Sequence, residues 1–344
     1  MRRLPVYFVL DVSESMVGSP LRQLESGMEQ IVRSLRTDPH ALETVYLSVI
    51  AFAGKADLIA PLIDVVSFYP PRLPLGSGTA LGHALDCLMD CIDRDVIKTT
   101  NEKRGDWKPV VFLLTDGKPT DDTASAISRW QNSFSEKAQL VAITLGDQSD
   151  TSLLGKLTEH VLQFDGSDNK QFKEFIDWVS NSVTATSHAV EANTGSVSLA
   201  KKPAGLTLVK NVPQHSSSVI DESVVVLTGR CQKSERPYLI KYNRSKDNHF
   251  ANRQFELEGA FGVEENYFVW SAEGTTDQQI GTENLEGFPP CPHCGNHTAF
   301  AMCGCGKLLC TNGPGLFQCP WCRKNGEFSV EGGSSDFDVT RGRG

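Results

Sequence analysis

Over residues 1–190, short continuous apolar runs alternate with longer stretches in which apolar residues recur three or four apart. Residues 6–10 read as a buried strand. Residues 21–35 place Leu21, Leu24, Met28, Ile31, Val32 and Leu35 near helical spacing and predict an amphipathic helix. Residues 45–52 form a second strand, and 58–66 return as an edge strand after the turn at Ala53-Gly54-Lys55. Thr79 opens a helix with Leu81, Leu85, Leu88, Met89 and Ile92 on one face. Residues 110–114 are all apolar, as expected of a strand covered on both faces. A helix over 124–137, a strand over 140–145, a short helix over 153–160, a strand over 161–164 and a closing helix over 170–184 complete the series. This alternation predicts an α/β domain with a doubly wound, mainly parallel sheet.

The rhythm dissolves between residues 191 and 222, where Ser, Thr, Pro, Asn and Gly dominate and Ser216-Ser217-Ser218 signals a linker. Strand-like runs at 224–228, 238–242 and 267–270 then predict a small β-rich domain over residues 223–328. Residues 329–344 are rich in Gly, Ser and charge, and are expected to be a disordered tail.

Composition narrows the function. The 344-residue chain carries a formal net charge of −9, which argues against generic nucleic-acid binding, because that affinity draws on Lys and Arg neutralising phosphates. No apolar run approaches the ~20 residues of a membrane helix. The start, Met1-Arg2-Arg3 and a short apolar run, meets Asp11 with no small-residue cleavage site, so it reads as a strand and not as a signal peptide. The expected location is cytoplasmic. Seven of the ten cysteines fall between Cys291 and Cys322. Without an export signal, such clustering suits metal binding better than a disulfide framework.

Three short motifs carry oxygen chemistry. Asp11-Val12-Ser13-Glu14-Ser15 follows the first strand, and alternate residues of an extended segment project to one side. Asp11, Ser13 and Ser15 therefore present a carboxylate and two hydroxyls together. Thr79 ends the loop Gly76-Ser77-Gly78-Thr79, and Asp116 follows the buried strand at 110–114. In open parallel sheets, ligands bind beyond the carboxyl ends of strands. An all-oxygen set suits Mg²⁺ or Mn²⁺ and disfavours zinc. Two aspartates balance the ion's charge and leave a coordination position for a partner's carboxylate. Glu14 is expected to face solvent and receives no role.

The cysteine cluster contains two C-x₂-C knuckles, Cys291-Pro-His-Cys294 and Cys319-Pro-Trp-Cys322, with Cys303, Cys305 and Cys310 between them. Two tetrahedral zinc ions need eight ligands. The seven cysteines plus His297 supply eight, His293 being the weaker candidate because it lies inside a knuckle. One pairing puts both knuckles on one ion and His297, Cys303, Cys305 and Cys310 on the other; a cross-braced pairing is the alternative. The sites are expected to be closed and structural.

On Asp11, Ser13, Ser15, Thr79 and Asp116, residues 1–190 resemble a von Willebrand factor A domain with a metal-ion-dependent adhesion site. All five positions hold the family's residue types. The resemblance implies a doubly wound sheet with one antiparallel edge strand, and metal-dependent binding of protein ligands. Followed by the cysteine cluster, the chain is similar to TerY-like tellurium-resistance proteins. That resemblance implies a stress-response adaptor acting with a protein kinase and a PP2C-type phosphatase.

Two other classes compete. A Mg²⁺-dependent phosphatase would use Asp11 as nucleophile, but such chemistry wants a second carboxylate or an acid/base beside it. The i+2 residue is Ser13, so no enzyme is expected. Nucleic-acid binding by the zinc region and the Arg-Gly tail is disfavoured by its few basic residues, Lys307, Arg323 and Lys324. Asp121 and Asp122 are expected to cap the helix that follows them, and Cys87 and Cys91 to pack a helix.

Overall fold

A computed structural model describes residues 2–102, 104–116, 118–145, 151–164, 169–191, 200–201, 206–208, 223–245, 254–272, 278–328 and 336–342. The chain divides into two compact units. The first comprises Met1–Val12, Ser19–Pro74 and Thr79–Val219. The second gathers the short loops Ser13–Gly18 and Leu75–Gly78 with Ile220–Gly344.

In the first unit the elements run β1 (Leu4–Asp11), α1 (Ser19–Leu35), α2 (Pro39–Thr44), β2 (Val45–Phe52), β3 (Ala56–Asp64), α3 (Leu81–Asp95), β4 (Val110–Thr115) and α4 (Ala124–Ser133). Then follow β5 (Gln139–Leu145), α5 (Thr151–Leu154), β6 (Val161–Phe164), α6 (Asn169–Glu191) and β7 (Leu206–Leu208). The sheet order is β3-β2-β1-β4-β5-β6-β7. The five inner strands pair in parallel, and β3 and β7 are antiparallel edges.

Strand β1 is buried along its whole length. Its alternate residues serve opposite faces. Tyr7 and Val9 join Val111, Leu113, Leu85, Leu88 and Trp130 in a core with α3 and α4. Phe8, Leu10 and Leu114 meet Leu24, Met28 and Ile31 of α1 and Phe175, Ile176 and Val179 of α6. Helix α1 thus buries a stripe at the spacing its sequence set. Each such side chain contributes about 1.5–3 kcal/mol.

The mainly parallel, doubly wound sheet agrees with the sequence reading, with two differences. There are two antiparallel edges, because Leu206–Leu208 pairs with β6 inside the segment read as linker. Helix α6 runs on to Glu191. The rest of the expected linker lies almost wholly outside the described residues.

In the second unit the elements are β8 (Val224–Arg230), β9 (Pro237–Arg244), β10 (Phe255–Gly262), α7 (Asn266–Trp270), β11 (Gln279–Gly281), β12 (Leu285–Glu286) and β13 (Thr298–Met302). They continue with β14 (Leu308–Thr311), β15 (Gly315–Gln318), β16 (Asn325–Phe328) and β17 (Asp338–Thr340). A six-stranded sheet has the order β12-β10-β9-β8-β14-β13, and β11-β17 and β15-β16 form two-stranded sheets. The core gathers Val225, Leu227, Tyr238, Ile240, Tyr242, Phe255, Leu285 and Phe300 around Cys231, Cys291 and Cys310.

Two expectations are corrected here. The run at 267–270 is helical. One turn buries Tyr267 and Trp270, three apart, and leaves Val269 exposed. Part of the expected disordered tail is ordered. β17 pairs with β11, Val339 is buried, and the Arg341 guanidinium donates to the Val224 carbonyl at 2.7 Å. Residues 329–335 and 343–344 lie outside the described residues.

Candidate metal centres

The oxygen-bearing motifs lie where the topology favours a ligand. Chain growth from β1 adds β2 and β3 on one side, and β4 begins the other side. The carboxyl ends of β1 and β4 therefore flank the switch point of the sheet. Asp11 ends β1, and Asp116 follows β4. The Thr115 hydroxyl donates to Asp11 Oδ2 at 2.6 Å, which orients that carboxylate and keeps it a good acceptor.

Ser13 caps a single 3₁₀ turn, Glu14–Met16, and its Oγ lies 2.9 Å from Ser15 Oγ. The two hydroxyls thus face a common point, as their i, i+2 spacing requires. Asp11, Ser13, Ser15 and Thr79 are each at most 4 % exposed, and Asp116 is half-buried.

Thr79 is the informative member. Its Oγ1 is buried with no hydrogen-bond partner among the described residues. Leaving a buried hydroxyl unsatisfied costs about 1–3 kcal/mol, a cost that a coordinated cation removes. Its backbone is fixed on both sides. The Thr79 amide donates to Thr120 Oγ1 at 2.8 Å, and the Thr120 amide donates to the Thr79 carbonyl at 2.9 Å. Thr79 and Asp116 therefore sit on loops joined to one another. This donor set, two carboxylates and three neutral hydroxyls with one left orphaned, fits a hard divalent cation.

The structure divides the expected capping work and gives Glu14 a partner. Asp121 accepts from the amides of Gly82 and His83 at 3.2 and 3.0 Å, so it caps α3 from outside. Asp122 alone caps α4, through the Ala124 amide at 3.0 Å. Glu14 is 1 % exposed, contrary to the solvent-facing expectation, and accepts from the Tyr267 hydroxyl. Burial first, then the charge of Glu14, raise the Tyr267 pKa well above its ordinary value, so the phenol stays a donor. His83 is exposed, and Cys87 and Cys91 border the α3 core.

Eight thiols gather into two clusters. Cys231, Cys291, Cys294 and Cys310 form one, and Cys303, Cys305, Cys319 and Cys322 the other, with all sulfurs of a cluster within 4.8 Å of one another. Cys294 and Cys310 sulfurs are 3.7 Å apart, Cys303 and Cys322 3.8 Å, and Cys305 and Cys319 3.9 Å. Four sulfurs at the Zn–S distance of about 2.3 Å around a tetrahedral ion stand about 3.8 Å apart, so both clusters have the size zinc requires.

This replaces His297 with Cys231 and separates the two knuckles. His297 is exposed, and its amide bonds the Asn312 side chain at 3.2 Å. His293 points Nε2 at the Pro237 carbonyl at 2.8 Å. The sequence held a signal for Cys231. Cys231-Gln-Lys-Ser234 follows a strand and repeats the knuckle spacing with Ser in the second thiol position.

The four thiol turns share one backbone device. The amides of Glu235, Gly295, Gly306 and Arg323 close back on the carbonyls of Cys231, Cys291, Cys303 and Cys319. All four of these residues have positive φ, between 59° and 79°, and two of them are not glycine. The Glu235 and Arg323 side chains form an ion pair, which offsets part of the strain.

Burial pushes the Cys231 thiol up, but hydrogen bonds from Ser234 and Lys233 outweigh it and bring it down to about 7. The Lys324 amide leads the bonds that bring Cys322 down to about 7. Burial pushes Cys303 up to about 12.

Comparison with known proteins agrees with this geometry. The model of the von Willebrand factor type A domain matches residues 6–178, and that of the TerY-C metal binding domain matches residues 221–344. The human inter-alpha-trypsin inhibitor heavy chain H6 is 22 % identical over 175 residues, covering 44 % of this chain and 12 % of its own length. The chain thus spans only about an eighth of that relative.

Among solved structures, von Willebrand factor type A from Catenulispora acidiphila is 18 % identical with a TM-score of 0.40, covering 54 % of this chain and 43 % of its own. Proximal thread matrix protein 1 from the mussel byssus, with a zinc-occupied MIDAS motif, is 21 % identical with a TM-score of 0.36, covering 52 % and 46 %. With a family model spanning half its length and five matching site positions, the chain belongs to the von Willebrand factor type A domain family and carries a TerY-C metal binding domain behind it.

Proposed function

We propose that the chain is a divalent-cation-dependent protein-binding adaptor. Asp11, Ser13, Ser15, Thr79 and Asp116 hold Mg²⁺ or Mn²⁺, and an acidic residue of a partner protein completes the coordination. The single observation that carries this reading is the buried, unpartnered Thr79 hydroxyl beside the carboxyl ends of β1 and β4. The cation would supply a Lewis-acidic anchor for the partner's carboxylate. The protein's part is to hold neutral hydroxyls and a pre-oriented Asp11 in place.

The two thiol clusters hold one Zn²⁺ each in a structural role, since five of the eight ligand residues are buried and two more half-buried, which leaves little room for a substrate. Von Willebrand A domains are typically interaction modules and not enzymes. The phosphatase alternative lacks a carboxylate at i+2 of the would-be nucleophile, where Ser13 stands, and Asp11 is already engaged by Thr115. The similarity to TerY-like proteins supports a role in tellurium resistance or a related stress response, with a protein kinase and a PP2C-type phosphatase as partners. Reduced thiol clusters suit a cytoplasmic setting. No helix among the described residues is long and apolar enough to cross a membrane.

The test is affinity capture with the zinc-loaded chain in Mg²⁺, comparing wild type with Asp11→Ala and identifying the proteins retained. Wild type should retain an acidic-surfaced partner that Asp11→Ala loses. Equal capture by both would sink the reading. Chelation alone is unsuitable because EDTA also strips zinc.

A further inference from the structure

One short helix of the second unit holds both of that unit's loops from the oxygen motifs. From α7, the Tyr267 hydroxyl donates to Glu14, the residue between Ser13 and Ser15. Just past α7, Ser271 Oγ accepts from the Ser77 amide at 3.0 Å, and the Ala272 amide donates to the Ser77 carbonyl at 2.8 Å. Ser77 stands two residues before Thr79. Gly76 lies so close to the Trp270 backbone that a Cβ there would overlap it. The two loops are also joined to each other by a parallel bridge between Ser13 and Gly76.

The helix is itself anchored. Tyr267 is 3 % exposed, with its hydroxyl 3.3 Å from Thr228 Oγ1. Phe268 meets Trp321 edge-on at 6.0 Å between centroids, and Arg230 lies over both rings at 4.9 and 4.8 Å. Trp321 sits between Cys319 and Cys322 of the second thiol cluster.

Hydroxyl ligands are weak donors, and a site built from them gains affinity when outer contacts fix their positions before the ion arrives. Ser13 and Ser15 lie at and within a single 3₁₀ turn, too short to hold its own geometry. Glu14, between them, is buried and turned to a phenol. The bond from the Tyr267 hydroxyl ties the middle of that turn to α7.

We propose that Tyr267 and Glu14 are positioning residues of the oxygen site, with α7 as the clamp that presets the Ser13 and Ser15 donors for a divalent cation. The proposal rests on the reading of Asp11, Ser13, Ser15, Thr79 and Asp116 as the cation's ligands.

The test is isothermal titration of Mg²⁺ into the full-length, zinc-loaded chain, comparing wild type with D11A, Y267F, E14A and E14Q, alongside the Mg²⁺-free melting temperature of each. Y267F and E14A should weaken Mg²⁺ binding by about 10-fold or more, the scale of outer contacts in metal sites. E14Q should recover most of the loss in E14A, because its amide oxygen still accepts from the phenol. A residue that merely supports the fold would lower the Mg²⁺-free melting temperature and leave the Mg²⁺ affinity of the folded chain unchanged.

Mg²⁺ affinity in Y267F within about twofold of wild type, or tighter, overturns the clamp whatever its melting temperature. If Y267F does not fold, S271A, which removes the acceptor for the Ser77 amide together with a bond to the Tyr267 carbonyl, carries the same expectation and the same overturning result. Equal Mg²⁺ binding by D11A and wild type would instead refute the underlying site.

Discussion

At the residue scale, Cys231 decides how the thiol clusters are built. It reaches its cluster from the end of β8, about sixty positions before Cys291. Replacing it with Ser should reduce zinc in the purified chain from two ions to one by elemental analysis, while His297→Ala retains two; the opposite pattern would restore His297 as a ligand. Asp11, Ser13 and Ser15 stand out in the sequence because they alternate at the end of a strand, and Asp116 because it follows one, whereas Thr79 stands in the loop before α3. Cys231 was passed over, because clustering along the chain shows only thiols that are neighbours in sequence, and its Cys-x₂-Ser turn offers a single thiol. Glu14 and Asp121 were misread for a related reason. Each serves a distant backbone or side chain, and local spacing carries no trace of that.

Gly82 is a second decisive residue. Alanine there would ordinarily favour a helix by up to about 1 kcal/mol. Its Cβ would instead meet the Asp122 carbonyl at 2.7 Å and Asp121 Oδ2 at 2.9 Å. Overpacking against backbone costs about 1–3 kcal/mol and outweighs the propensity gain. Gly82→Ala should therefore lower the melting temperature of the first unit, by about 2–4 °C per kcal/mol at this size. An unchanged or higher melting temperature would show that the 120–123 loop moves aside freely.

At the element scale, the buried parallel strands were the most readable parts. β2 and β6 have the bounds that their largely apolar runs predict, and the one buried polar residue of β2, Ser48, donates to the Ala60 carbonyl at 3.0 Å. Helix α6 outran its prediction. Its last turns are rich in Ser and Thr, which normally signal a helix end. Here the Ser180 and Thr186 hydroxyls bond back to the Ile176 and Ser182 carbonyls at 3.0 and 2.7 Å, and Ser187 meets Thr44 at 2.7 Å. The hydroxyls are thereby satisfied inside the helix packing. Helix α7 has the opposite history. Tyr-Phe-Val-Trp has strand-forming chemistry, but burial of Tyr267 and Trp270 three apart selects one helical turn.

At the scale of the whole molecule, the two units draw stability from different sources. The first has a seven-stranded sheet covered by helices on both faces. The second embeds Cys231, Cys291 and Cys310 within its core. Structural zinc in small domains carries about 10–16 kcal/mol of apparent binding free energy, comparable to the entire stability of a domain. A zinc-selective chelator, with Mg²⁺ kept in excess, should abolish amide-exchange protection in β8, β9 and β14 and leave β1, β2 and β4 protected. Persistent protection of β8 and β9 would mean that the apolar core suffices alone.

The different reach of the two thiol clusters also sets an order of events. The cluster at Cys303, Cys305, Cys319 and Cys322 closes a short stretch of chain, whereas the one containing Cys231 and Cys310 closes a loop about four times as long. Two doublings of loop length add about 1.2 kcal/mol of closure entropy. The nearer cluster can therefore capture its ion on a nascent hairpin, and the farther one must wait until β8 and β14 have found each other in parallel. As the polypeptide is made, the first ion would report that the C-terminal segment exists, and the second that it has folded.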